Sequence, residues 1–276
     1  MCLCSSYRQP ALISLIPGIT GTQIPQIPVT QYTEFRNSGD TIQNTLEIHP
    51  ALGHGLIMAR LSRIVIPGYP HHVIQRGNRR QKTFFRNADY RQYIRLMAQW
   101  CDALDVQIWA YCLMPNHVHL IAVPDDESGL AKAIGEAHRR YTRYINFREG
   151  WRGYLWQGRF ASYVMDQHYL IATARYVELN PVRAGIAKYP GDYPWSSAKA
   201  HLSYQDDELA KAAPLLDIVP NWGRLLASGM PAADEDSIKR HSKTGRPLGD
   251  EHFIETIGEL SGREVRPKKP GPKPKR

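Results

Sequence analysis

Two apolar runs, residues 106–113 and 117–123, are separated only by Met114-Pro115-Asn116. A parallel pair needs a crossover of a dozen or more residues, so a connection this short predicts an antiparallel hairpin. Around it the periodicity alternates. Residues 72–77 read as a strand ending at a glycine turn, Gly77. Residues 89–104 read as a helix, with Tyr93, Leu96, Met97 and Trp100 on one stripe and Asp89 as its cap. Residues 130–147 form a second helix, with Ile134, Ala137, Tyr141, Tyr144 and Ile145 inward and Lys132, Arg139, Arg140 and Arg143 outward. Residues 159–165 are a fourth strand. Asp166 caps a third helix through Tyr169, Ile171, Ala174 and Val177, which should stop near Pro181. The succession strand–helix–strand–strand–helix–strand predicts an α+β, ferredoxin-like antiparallel sheet with helices on one face.

The flanks differ from this centre. Residues 1–57 are rich in Thr, Pro, Ile, Gln and Gly without sustained periodicity, and a disordered arm is expected there. Character changes at Met58, which is the expected biological start, the preceding segment being an upstream extension. Residues 58–200 are the expected central domain. Residues 201–276 are expected to be a mostly irregular to helical basic extension, with a short helix near 250–260. Its end, 263–276, holds seven basic residues and four prolines against Glu264 and is expected to be extended. A net charge of +9 favours a polyanionic partner. No stretch reaches the roughly 18 apolar residues a spanning helix needs, so no membrane partner is expected. The N-terminus lacks a basic leader and Pro17 breaks its apolar run, so no signal peptide is read there. Cys2, Cys4, Cys101 and Cys112 form no CxxC pair. Neither a disulfide framework nor a zinc ribbon follows, and a reducing cytoplasm fits.

His117 and His119 flank Val118 on the second arm of the hairpin. Side chains at i and i+2 share a strand face, so the two imidazoles project together and can hold a divalent metal. The competing reading is a pair of half-buried histidines. Further along lies Tyr176-Val177-Glu178-Leu179-Asn180-Pro181. Tyr176 and Asn180 are four apart and share a helix side. A phenol with a pKa near 10 is a poor nucleophile alone. Beside a cation and a phosphodiester it can attack phosphorus and expel a deoxyribose oxygen. The Asn180 amide oxygen, with two imidazoles, would complete a two-nitrogen, one-oxygen set for magnesium or manganese with open positions. Tyr169 is the rival nucleophile. Glu178, about 200° round the helix from Tyr176, reads as surface or an ion pair. His138 and His168 read as helix surface; His71 and His72 read as structural, with an approach of one of them to the site as the alternative.

Met58-Ala59-Arg60, residues 70–78 (PHHVIQRGN), 114–120 and 176–185 together resemble the REP-associated branch of the HUH single-tyrosine transposases over roughly residues 58–200. Residues 244–249 (TGRPLG) also resemble its longer members. The resemblance implies a ferredoxin-like domain, a divalent metal, and cleavage of single-stranded DNA beside a hairpin. It puts the histidine pair at His117 and His119, the nucleophile at Tyr176 and the third ligand at Asn180. It also implies a 5′-phosphotyrosine intermediate with a free 3′-hydroxyl, and rejoining by reverse attack without a nucleoside triphosphate.

For the DNA itself, single-stranded or hairpin, the candidate contacts are Arg60, Arg63, Arg76, Asn78, Arg79, Arg80, Lys82, Arg139, Arg140, Arg143, Trp156 and Arg159. Flat side chains among cations suit unstacked bases. The competing reading keeps Trp151 and Trp156 in the core. A hairpin DNA- or RNA-binding protein that no longer cuts, a relaxase or replication initiator, and a metallohydrolase are the alternative functions. The working form is a monomer or a homodimer.

Overall fold

The computed structural model describes residues 63–266. The expectations for 1–57, for a start at Met58, for Arg60 and for the tail beyond 266 lie outside the described residues.

Four strands form one antiparallel sheet: β1 (His71–Arg76), β2 (Val106–Met114), β3 (His117–Pro124) and β4 (Ala161–Val164), in the order β2-β3-β1-β4. Every pair is antiparallel. The β2–β3 hairpin closes on Met114 opposite His117. Helix α1 (Asn87–Asp102) joins β1 to β2, and α2 (Gly129–Glu149) joins β3 to β4. Both pack on one sheet face. Tyr93 and Met97 of α1 and Leu130, Ile134 and Tyr141 of α2 share a core with Val73, Ile108, Leu113, Val118 and Leu120. Asp89 caps α1 from its third position rather than its first, accepting from the backbone N–H groups of Phe85 and Arg86.

Trp109 is an extra residue in β2: Ile108 pairs with Ala122, yet Ala110 pairs with Ile121. A one-residue bulge inverts the face of everything beyond it. Ile108 therefore joins Tyr111 and Leu113 on the α1/α2 side, while Ala110 joins Ile121 on the other.

That other face is covered as well. Helix α3 (Gln167–Glu178) starts at Asp166, whose Oδ1 accepts from the Tyr169 N–H at 2.8 Å. It ends two residues before Asn180, and a separate turn, α4 (Asn180–Arg183), carries Pro181. A proline ring clashes with the carbonyl four residues back, so the helix breaks as anticipated. Five helices follow among the described residues: α5 (Ala198–Ser203), α6 (Ala213–Ile218), α7 (Trp222–Ala227), α8 (Ala232–Thr244) and α9 (Glu251–Ser261). Leu215, Trp222, Leu226, Ile238 and Leu248 join Ile74, Ile121, Tyr163 and Leu170 in one core. The region after 200 thus packs on the sheet, and α5 spans the boundary expected there.

Candidate functional site

His117 and His119 sit on the α3 face of β3, with ring centroids 5.0 Å apart and nearly perpendicular. Strand parity places them there, since their neighbour Val118 is buried in the α1/α2 core. The Tyr176 ring lies 5.8 Å from the His119 ring, edge to face. The break at Pro181 leaves Asn180 at the start of α4, and its side-chain Nδ2 is buried without a hydrogen-bond partner. No bond holds that nitrogen, so a half-turn of the amide would present oxygen in its place.

The protons on the two imidazoles follow from their partners. Asn116 donates its amide to the Arg80 carbonyl at 3.1 Å, which fixes the amide's orientation. Its Oδ1 then faces His117 Nδ1 at 2.6 Å. An amide oxygen only accepts, so His117 carries its proton on Nδ1 and leaves Nε2 as a lone pair. His119 is 2% exposed, and its Nε2 is buried without a partner. Burial, then the charge of Arg76, holds His117 down at a pKa of about 4. Burial, followed by His72, His117, Arg76 and Arg183, pushes His119 well below the ordinary histidine value. Both rings are neutral at neutral pH, the form that ligates a cation.

The residues therefore fit a divalent ion. Two neutral imidazoles are adjacent, one has a buried nitrogen with nothing to bond, and an amide with a free buried end lies one turn past the phenol. Among the described residues no group of three or more His, Cys, Asp or Glu side chains could hold a metal, so any third protein donor must be of another type, as an amide oxygen is.

One neighbour had no place in the sequence reading. The Arg183 guanidinium lies over the Tyr176 ring, 4.6 Å from its centroid, and is paired with Glu235 of α8. Its position seven residues after Tyr176, two helical turns, was the available signal. Tyr169, the rival nucleophile, is partly buried against the second core.

One reading needs correction. His138 is not at the surface: it is 7% exposed, stacks on Trp156 at 4.6 Å, and its Nε2 lies 2.9 Å from the Tyr93 hydroxyl. Of the two readings for Glu178, surface or ion pair, the structure gives the second, with His201 as partner. Glu178 is fully buried and accepts from Ser197 Oγ and His201 Nδ1, both at 2.6 Å, and from Trp222 Nε1 at 2.7 Å. His72, rather than His71, is the one of that pair that approaches the site, its Nε2 lying 2.9 Å from His119 Nδ1. His168 is exposed, as expected, near Asp234.

The basic residues spread over several surfaces. A groove of about 660 Å³ between α2 and the loop before β4 is lined by Arg63, Gln75, Asn78, Arg139, Trp156 and Arg159, among others. Trp156 is 7% exposed and belongs to the α1/α2 core at the groove's edge. The exposed aromatics of that loop are Trp151 and Tyr154. Arg63 stacks on Phe160 at 3.9 Å and donates to its carbonyl. Arg139 and Arg140 both pair with Glu136. Arg76 is exposed at the end of β1, opposite His117. Arg79 and Arg80 follow in a tight turn with positive φ, and they, Lys82 and Arg143 are exposed.

Residues 67–180 match the family described as IS200-like transposases. A Haemophilus influenzae protein bearing the name REP-associated tyrosine transposase is 27% identical over 110 residues, which is 36% of this chain and 62% of that protein. The chain thus spans less than two thirds of that relative's length. Among solved structures, a REP-associated tyrosine transposase bound to a REP hairpin is 19% identical, with a TM-score of 0.47, covering 56% of this chain and 92% of that one. A transposase structure from Deinococcus radiodurans is 18% identical, with a TM-score of 0.32, covering 44% and 96%.

Proposed function

From the match of residues 67–180 to the IS200-like transposase family, we propose that this protein cleaves and rejoins single-stranded or hairpin DNA, at REP-like repeats, through a tyrosine ester. The observation that carries the reading is the convergence, within one chain, of the His117–His119 pair and the Tyr176 ring. Tyr176 Oη attacks phosphorus and its bond to phosphorus forms as the bond to the 3′ oxygen breaks. The phenol gives up a proton and the departing 3′ oxygen takes one up, leaving a 5′-phosphotyrosine and a 3′-hydroxyl. Attack by another 3′-hydroxyl reverses the exchange, so no nucleoside triphosphate is consumed.

His117 and His119 would hold magnesium or manganese through their Nε2 atoms, and the Asn180 amide oxygen would be the third donor. The ion, when bound, draws charge from the phosphate oxygens and stabilises the transition state. Arg183 holds the face of the Tyr176 ring and so limits where the phenol oxygen can point. Arg63, Arg139 and Arg159 receive the backbone along the groove, where phosphate contacts set position. A protein of this kind works on the nucleoid, in the cytoplasm.

Incubation with a labelled single-stranded hairpin and manganese tests the proposal. A denaturation-resistant protein–DNA adduct that disappears in Tyr176→Phe supports it. Binding without cleavage points instead to a hairpin-binding protein, and cleavage that survives the substitution to a hydrolase.

A further inference from the structure

We infer that His72 is a positioning residue: it fixes the tautomer of His119 so that the bare Nε2 nitrogen faces the cation site. The inference rests on the metal-dependent reading above and concerns a side chain outside the ligand set.

The register creates the contact. His119 pairs with Ile74 on β1, so His72, two residues away on the same face, is its diagonal neighbour. His72 also pairs directly with Tyr163 on β4. The side chains make a continuous line across three strands. His119 Nδ1 lies 2.9 Å from His72 Nε2, His72 Nδ1 lies 2.8 Å from Tyr163 Oη, and the Tyr163 hydroxyl reaches the Ile238 carbonyl at 3.5 Å. The two imidazoles are stacked, with centroids 5.1 Å apart and planes 21° from parallel. His72 is fully buried and Tyr163 is 1% exposed, so water does not substitute for any member.

With both rings neutral, the line can run in only two directions. In one, Tyr163 donates to the Ile238 carbonyl, His72 Nδ1–H donates to Tyr163, and His119 Nδ1–H donates to His72. His119 Nε2 is then a lone pair. In the other, Tyr163 donates to His72, His72 donates to His119, and His119 carries its hydrogen on Nε2. That arrangement drops the bond to the Ile238 carbonyl. It also leaves a buried N–H with no acceptor, because His119 Nε2 has no partner, a fault worth about 1–3 kcal/mol. The first direction wins, and it is the one that readies His119 as a ligand. The far end of the line is the Ile238 carbonyl in α8, so a segment beyond residue 200 also sets the tautomer. His117 is set separately, by Asn116.

The ring nitrogens of His119 in isotopically labelled, metal-free protein report this directly by long-range proton–nitrogen correlation. Wild type should show Nδ1 protonated and Nε2 bare. His72→Phe removes the acceptor, so Nε2–H should become populated and Mn²⁺ affinity should fall about 10- to 100-fold, as for other lost partners of ligating histidines. His72→Gln, whose amide oxygen can accept from Nδ1–H, should restore both. Tyr163→Phe removes only a hydroxyl and should shift the tautomer in the same direction, which keeps the test decisive if His72→Phe folds poorly. A protonated Nε2 in wild type overturns the inference. So do folded variants with unchanged tautomer and Mn²⁺ affinity. Wild-type protein that shows the bare nitrogen and binds Mn²⁺ but yields no DNA adduct supports the positioning role and refutes the cleavage reading alone.

Discussion

The buried carboxylate of Glu178 offers a sharp test of how the third helix is held. Its two oxygens accept from three donors: the Ser197 hydroxyl and His201 ring beside α5, and the Trp222 indole of α7. All four residues are 0% exposed. Glu178→Gln keeps the volume but replaces one acceptor oxygen with an NH₂ group. If Oε1 continues to serve Ser197 and His201, the new amide hydrogens point at the Trp222 N–H, and that indole loses its only partner here. An unpaired buried donor costs about 1–3 kcal/mol. Trp222→Phe separately removes the indole donor and leaves a carboxylate oxygen short of one bond. It also trims a ring that packs on His201 at a centroid distance of 4.6 Å. In the double variant the amide no longer faces an N–H, so the two penalties should not add. Urea unfolding of the four proteins gives the midpoints and slopes. The double variant should be more stable than the sum of the singles predicts by about 1–3 kcal/mol. Additivity within about 0.5 kcal/mol, the behaviour of uncoupled sites, would refute the assigned bond from Trp222 to Glu178.

Two further outcomes are expected. Burial holds His71 at a pKa of about 4 and His138 at about 3, both below the ordinary value of 6.5. From pH 6.5 down to about 4 the unfolded chain therefore binds protons at these sites that the folded chain does not. Stability should fall with pH across that window by up to about 2.7 kcal/mol per unit for the pair. Urea midpoints between pH 7 and 5 read the slope, and His138→Phe should remove about one proton from it. For the groove, Arg159→Ala should weaken binding to hairpin DNA of any sequence and reduce the steepness of log K against log salt by about 0.7–0.9. An unchanged salt slope would take Arg159 off the phosphate path.

The parts of this molecule that were legible in its sequence are those set by local periodicity. The three-residue hairpin connection and strict strand parity put His117 and His119 on one face without any tertiary knowledge, and Asp166 and Pro181 marked the ends of α3. What stayed hidden is non-local. His72 reads as one histidine on an edge of a pattern, because its partner is defined by the β1–β3 register. The Trp109 bulge has no glycine or other local marker. His138 flanks the stripe of Ile134, Ala137 and Tyr141, and nothing local distinguishes it from a surface residue. Its nitrogen in fact finds the Tyr93 hydroxyl and its ring finds Trp156, so a polar residue satisfies the core. Helices α6 and α7 have six residues each, too few for a 3.6-residue period to declare itself. The burial of Glu178 depends on α7 and the start of α5 returning to cover α3.

That return has a consequence for the phenol. Among the contacts that tie the α3 side of the sheet to residues beyond 200 are Glu178 with His201 and Trp222, Arg183 with Glu235, and the Tyr163 hydroxyl with the Ile238 carbonyl. Arg183 is the one that touches Tyr176. A guanidinium over a ring face is worth about 0.5–2 kcal/mol, yet its larger effect is geometric. Glu235, itself held by Lys239 at 2.5 Å, anchors the cation, and the cation in turn occupies one face of the tyrosine ring while the His119 ring lies edge to face with it. A phenol confined from two sides pays less entropy on reaching an attacking position than one free to swing. The helices after residue 200 are therefore part of how the candidate site is ordered, although none of the proposed metal ligands, nor the proposed nucleophile, comes from them.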